Sequence, residues 1–197
     1  MLLKRMIDVI GSGLALVVCL PLLMAIAVAV AVDSGFPVLY RQHRVGRDFC
    51  PFRLLKFRSM LDDNGGPRIT VAGDSRVTRV GRPLRGTKLD ELPQFWNVFV
   101  GDMSLVGPRP ELPEYVEMFR SRYKHILSVR PGITDIASIR FRDEEALLGR
   151  STDPLRVYTE MVLPAKLDLA EEYLKRSSLR LDLLIMVKTV LVTLRVL

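Results

Sequence analysis

The sequence predicts an α+β protein, mostly helical with a small β element, with an N-terminal re-entrant membrane helix-hairpin and interfacial amphipathic helices. Three observations carry this reading. Residues Met6–Val32 are nearly all apolar and are interrupted by Pro21. Further on, apolar side chains recur at helical spacing in several separate segments. Only short stretches, Val38–Tyr40, Phe52–Phe57 and Ser104–Val106, read as extended. The expected division is a membrane segment over residues 1–35 and a larger part over 36–197 that ends in an interfacial helix.

The composition is segregated rather than average. The chain is 49% hydrophobic and 26% charged, with a net charge of +7. A basic surface of this kind suits nucleic acid, anionic lipid or a polyphosphate substrate. Cys19 and Cys50 form no CxxC, so no disulfide framework is implied and a reducing compartment is expected. With His43 and His125 the only histidines, a His/Cys zinc site and a Ser-His-Asp triad are poorly supported.

As one helix, Met6–Val32 would run roughly 40 Å, enough to cross a hydrocarbon core of about 30 Å with tilt. A cleaved signal peptide would use Lys4-Arg5 and the small residues Ala29-Val30-Ala31, but the run is long for that and has a proline at its middle. A simple span should show one basic flank, yet Lys4-Arg5 precede the run and Arg41, Arg44 and Arg47 follow it. A hairpin bent at Pro21, entering and leaving on one face, puts all these cations on the same side. That reading is preferred, although prolines are also tolerated in spanning helices.

Two basic runs follow. Residues 41–58 hold Arg41, Arg44, Arg47, Arg53, Lys56 and Arg58, and a second run holds Arg68, Arg76, Arg79, Arg82, Arg85 and Lys88. Between them, residues 62–67 read as a loop by their turn residues. Each run alone reads as a solvated face. Together, just beyond a membrane segment, they favour an anionic membrane lipid, an anionic substrate, or both.

Leu92, Phe95, Trp96 and Phe99 fall at i, i+3, i+4 and i+7, the pattern of a helix with one apolar face. Thr87 with Asp90 resembles a capping box, and Pro93 suits only a helix start. Either frame puts Asp90 in or beside a first turn, where negative charge is favoured. A further amphipathic helix carries Tyr115, Phe119, Tyr123 and Ile126 and ends before Pro131-Gly132. Asp153-Pro154 reads as an N-cap with proline at N1. Pro164 opens or kinks a helix with Leu167, Ala170 and Leu174 on one face. In the tail, Leu179–Leu197, Arg180, Lys188 and Arg195 project to one side, which fits either an interfacial helix or a core helix.

The stretch Leu89–Pro110 carries the chemistry. Asp90-Glu91 is one acidic cluster among several, the others being Asp62-Asp63, Asp143-Glu144-Glu145 and Glu171-Glu172, and such clusters are mostly solvated surface. Asp90-Glu91 differs by lying five residues after Arg85 and before Pro108-Arg109-Pro110, where prolines stiffen the backbone around a planar phosphate-reading fork. The plain alternatives are a helix cap and a stiff loop. A carboxylate can act as a nucleophile toward phosphorus. Phosphoryl transfer needs cations and usually Mg²⁺, which takes one or two carboxylates plus substrate phosphates, a need that Asp90 and Glu91 meet. No Walker loop, GxGxxG or D-x-D triplet is present.

These residues resemble those of the bacterial sugar transferases, the small monotopic phosphoglycosyl transferases. The resemblance covers nearly the whole chain. It rests on Lys4-Arg5, Asp8 and Pro21, then Lys56–Met60, Leu89–Gln94, Asn97-Val98, Gly101–Ser104, Gly107–Pro110 and Arg130–Thr134. It implies transfer of a phosphosugar from a UDP-sugar to a polyprenol phosphate such as undecaprenyl phosphate, with release of UMP. It implies Asp90 as the attacking group, Glu91 as the second catalytic residue, Mg²⁺ beside Asp90 and Glu91, and Arg85, Arg109, Lys56 and Arg130 on the phosphates. It also implies a monotopic protein at the cytoplasmic face of a bacterial inner membrane. Two departures stand out. Leu20 replaces a serine found before the membrane proline in some relatives, and Asp135-Ile136-Ala137-Ser138 replaces a common Gly-Leu-Ala-Gln. Direct displacement without an enzyme adduct, and a non-catalytic basic membrane adaptor, are the competing readings. Nucleic acid is not an expected partner. Sugar identity is left open, as is assembly into a homo-oligomer, and no additional regulatory domain is expected.

Overall fold

The computed structural model describes residues 2–61 and 69–193. The turn-rich segment at 62–67, Arg68 and Arg195 fall outside them. The described chain is mostly helical with two small sheets, an α+β arrangement.

Helices α1 (Leu2–Val18) and α2 (Leu20–Ser34) meet at a bend of 62°. The break falls at Cys19, two residues before Pro21, as expected for a ring that removes one N–H and crowds the turn before it. Among the described residues no single helix is long and apolar enough to cross a membrane, but α1 and α2 together are. Their outer faces leave Leu3, Met6, Ile10, Leu14, Met24, Val28 and Val32 exposed.

The other face of α1 is polar and packs against the body of the protein, with Asp8 and Ser12 buried. Lys4, Arg5, Asp8 and Ser12 lie within about 100° of arc on one helix side. Asp8 Oδ1 accepts from Ser104 Oγ and from the Leu105 amide, each at 3.0 Å. Lys4 Nζ donates to Val106 O at 2.9 Å and to Asp182 at 2.6 Å, and Tyr173 donates to the other Asp182 oxygen at 2.7 Å. Arg5 donates to the carbonyls of Val98 and Phe99. Lys4-Arg5, read from the sequence as a basic flank of the apolar run, therefore do more than flank it. Both are engaged by the body of the protein.

Strands β1 (Leu39–Val45) and β2 (Pro51–Phe57) form an antiparallel hairpin in which Leu39 faces Phe57 and Val45 faces Pro51. The first strand runs five residues past its expected end, so most of the first basic run lies on the hairpin rather than between strands. Next come α3 (Gly81–Gly86), a 3₁₀ turn at Leu89–Glu91 and α4 (Gln94–Val100), with Pro93 just before α4 as expected.

Helix α4 turns Trp96 and Phe99 outward. Its buried positions are Gln94, Asn97 and Val98, whereas Trp96 and Phe99 are 50% and 41% exposed. The reason lies at the edge of β2. Asn97 Oδ1 accepts from the Leu55 amide at 3.0 Å, and its Nδ2 donates to Arg53 O at 2.8 Å and to Asp102 at 3.1 Å. A polar side chain that satisfies exposed strand groups must face inward, which turns the aromatic stripe outward.

Strand β3 (Ser104–Val106) pairs in parallel with β4 (Gly132–Thr134), a strand not anticipated from the sequence. The chain crosses itself tightly here. A Cβ on Gly132 would lie 2.1 Å from Gly107 N, so this crossing admits no side chain.

Between the two strands, α5 (Pro113–Met118) and α6 (Arg120–Ile126) are one expected helix broken at Phe119. Then follow α7 (Ile136–Arg140), α8 (Glu144–Leu148), α9 (Pro154–Val157), a π-helical turn at Tyr158–Val162, α10 (Leu163–Arg176) and α11 (Leu179–Thr193). Asp153 caps α9 by accepting from the Arg156 amide at 3.0 Å, and Pro164 lies in the first turn of α10, as the sequence suggests. The main apolar core joins Tyr115, Tyr123, Ile126, Tyr158, Leu163 and Leu167. Helix α11 buries Asp182 and Ile185 and leaves Leu183, Leu184, Val187 and Val190 uncovered, with Arg180 and Lys188 among them.

Candidate active site

The end of α3 sets the site. Thr87 Oγ1 donates back to Pro83 O at 2.7 Å, so it closes α3 rather than capping the next turn, a correction to the expected capping pair. Lys88 is left-handed (φ 58), which reverses the chain and delivers Asp90 to the wall of a cavity of about 450 Å³. That volume falls within the range of small-molecule sites. Leu89 and Leu92 pack against a cluster of Ile26, Val30, Phe57 and Leu84, so the segment bearing Asp90 rests on α2.

Asp90 is 4% exposed, and its Oδ1 is buried without a hydrogen-bond partner among the described residues. Burial pushes its pKa above the usual aspartate value; Lys56 opposes the shift and Glu91 adds to it.

Glu91 is engaged instead of open. Lys56 Nζ, from β2, donates to its Oε1 at 2.8 Å. Arg109 Nη2 donates to the same oxygen, and Arg109 Nη1 donates to Oε2 at 3.3 Å. Burial alone would raise the pKa of Glu91, but Arg109 and Lys56 outweigh it and hold the carboxyl well below the usual range. Burial draws Lys56 below the usual lysine value, with Glu91 opposing. The Glu91 charge drives Arg109 further up.

Arg109 is held by its backbone as well. Its amide donates to Asp135 Oδ2 at 3.1 Å, and Asp135 Oδ1 accepts from the Ser138 amide at the start of α7. Gly132 N donates to Pro108 O at 3.0 Å. The stiff Pro-Arg-Pro is thus fixed from the β4 side.

Arg85 lines the cavity and pairs with Glu145 of α8, with Met60 Sδ 3.4 Å from its Nη1. The acidic run at 143–145, read from sequence as solvated surface, therefore contributes a partner. Arg130 does not reach the cavity. It precedes β4 and donates through Nε to Gly101 O at 2.8 Å, so it ties down the turn after α4.

Several wall residues carried no signal as functional residues. Glu111 accepts from Arg44 at 3.2 Å and from Tyr158 at 2.8 Å, and Glu144 pairs with Lys166. Burial would raise the pKa of Glu111, but Arg44 and Lys166 bring it below the usual value. Lys88 is visible only as a member of a basic run. The cavity is thus not a bare positive cleft, because most of its cations are already opposed by carboxylates.

A divalent cation was expected on both acids. The donors fit it on one side only: Asp90 offers an unpartnered carboxylate oxygen, whereas both Glu91 oxygens already face cations.

The model of the family described as bacterial sugar transferase matches residues 1–196. The chain belongs to this family. A UDP-N-acetylgalactosamine-undecaprenyl-phosphate N-acetylgalactosaminephosphotransferase of Aeromonas hydrophila is 39% identical over 95% of the chain and 42% of its own length. UDP-glucose:undecaprenyl-phosphate glucose-1-phosphate transferases of Caulobacter vibrioides and Klebsiella pneumoniae are 44% and 45% identical. They cover 70% and 71% of this chain and 53% and 31% of their own lengths. This sugar transferase chain thus spans about half the length, or less, of these relatives.

Proposed function

We propose that this bacterial sugar transferase moves a phosphosugar from a UDP-sugar to undecaprenyl phosphate through a covalent intermediate on Asp90. The observation that carries the reading is Asp90 itself. It is a buried carboxylate with an unpartnered oxygen, in a cavity also walled by Lys56, Arg85, Lys88 and Arg109. An Asp90 oxygen attacks the sugar-linked phosphorus, the bond to the UMP oxygen breaks, and UMP leaves. An oxygen of the lipid phosphate then attacks the same phosphorus, and the bond to Asp90 breaks, returning the carboxylate. Lys56, Arg85 and Arg109 orient the diphosphate and offset its charge. Mg²⁺ held through Asp90 would add further neutralisation of that charge.

In this proposal residues 1–35 form a hairpin that enters and leaves the cytoplasmic face of the membrane, and residues 36–197 form the catalytic part. The bend, the uncovered apolar faces of α1, α2 and α11, and the outward Trp96 and Phe99 support it. A Cys19→Ser background with Leu2→Cys tests the hairpin against the native, exposed Cys50. Both thiols should label from the same side of sealed vesicles, and labelling from opposite sides would mean a true span.

The covalent step has its own test. Incubation with a panel of UDP-sugars and Mg²⁺ should give a phosphosugar-mass adduct on the intact protein, and UMP release should precede lipid addition. The adduct requires ionised Asp90, whose pKa burial raises. Its rate should therefore climb with pH through a midpoint above about 4, the ordinary aspartate value. An acid limb at or below that value contradicts a buried nucleophile. Absence of any adduct, with sequential kinetics, favours direct displacement.

A further inference from the structure

Glu91 stands between two cations that come from different parts of the fold. Lys56 is on β2, and Arg109 is in the loop after β3. Three donors converge on its two oxygens, and its side chain is only 11% exposed. A metal ion seated there would lie against an ammonium and a guanidinium already in place. A proton carrier needs a side chain free to gain and lose hydrogen bonds, and this one is held by a fork and a point charge. Asp90, one residue away, has the opposite character, with an oxygen that nothing among the described residues meets.

From this geometry we infer that Glu91 is a positioning residue, a fixed counter-ion that aligns Lys56 and Arg109 and tempers their combined charge toward the substrate phosphates. The inference rests on the proposed phosphosugar transfer and deepens it. Two partly buried cations without an anion between them would grip any nucleotide phosphate, the departing one included. Binding of that kind, equal in ground and transition states, does not speed the chemical step. With Glu91 present the cations keep a fixed spacing, and phosphates are held in register rather than as tightly as charge allows.

The test uses Glu91→Gln in the full chain, in detergent or nanodiscs. UDP is titrated calorimetrically with EDTA present, and turnover is measured against Mg²⁺. The variant should bind UDP about tenfold more tightly, because one negative charge is gone from beside the phosphates. Its kcat should fall by about tenfold or more as the cations lose alignment. Half-maximal activation by Mg²⁺ should stay within about twofold of the unsubstituted protein. Weaker or unchanged UDP binding, or a large rise in the Mg²⁺ needed, overturns the inference. If the unsubstituted protein fails to bind UDP, the proposed function itself fails; if it binds and Glu91→Gln does not tighten, only the counter-ion role fails. Should Glu91→Gln not fold, the charge-balanced Lys56→Met/Glu91→Gln protein takes its place. Recovery of folding with the original Mg²⁺ requirement supports the pairing, and no recovery, or a greater requirement, overturns it.

Discussion

Replacing Asp90 with Asn should abolish the adduct, lower turnover by about 10⁴-fold or more, and at the same time make the protein more stable. The loss follows from removing the carboxylate proposed to attack phosphorus. The gain follows from the burial of a carboxylate whose Oδ1 nothing satisfies. A raised pKa means that the folded state holds the Asp90 proton more tightly than the unfolded chain does. That stabilising contribution is present below the ordinary carboxylate range and is lost as pH rises through the folded value. At neutral pH the ionised group therefore opposes folding, and a neutral amide relieves it. The expected gain is about 1–2 kcal/mol, a rise of about 2–8 °C in Tm. Thermal unfolding in detergent and intact-protein mass spectrometry check the two halves. Full turnover would remove Asp90 from the chemistry, and a lower Tm would show that its charge is already satisfied.

Arg109→Lys should reduce kcat/KM for the UDP-sugar by about 10²-fold while leaving the fold in place. The guanidinium spans both oxygens of Glu91 and also reaches Ile133 O at 3.4 Å. A single ammonium on a flexible stem does not reproduce that fork. The loop itself is held by the Arg109 amide on Asp135 and by Gly132 on Pro108, neither of which needs the side chain. A near-native Tm beside the kinetic loss is the expected pair of results. A lysine variant with unchanged kcat/KM would mean that only charge matters at this position.

A feature is legible in the sequence when its physical cause is local. Caps and breakers act locally, so Asp153-Pro154, Pro93, Pro164 and the bend near Pro21 were readable in place. Asp90, Glu91, Arg85, Arg109 and Lys56 were readable as a set, and the fold brings them around one cavity. Features decided by distant partners were not readable. The inward face of α4 is set by the edge of β2, which a count of Phe95, Trp96 and Phe99 does not show. β4 exists because Gly132 permits contact with Gly107, a pairing across the whole of α5 and α6. Arg130 sits in a motif beside the site in sequence, but its side chain turns to Gly101. The polar stripe of Lys4, Arg5, Asp8 and Ser12 was within reach. Its helical spacing distinguishes one buried face from scattered interruptions of an apolar run.

The polar stripe ties the N-terminal helix pair to the rest of the protein. α1 is riveted to β3, α4 and α11, and α2 backs the segment that bears Asp90. The helix pair is therefore not an appendage that can be cut away from the rest of the fold. Its removal would strand Asp182, Ser104 and the last carbonyls of α4. With the hairpin in the bilayer as proposed, insertion depth and the height of Asp90 above the lipid phosphates are one mechanical variable. A thicker or thinner membrane would then retune the reach to the acceptor without touching any residue of the cavity.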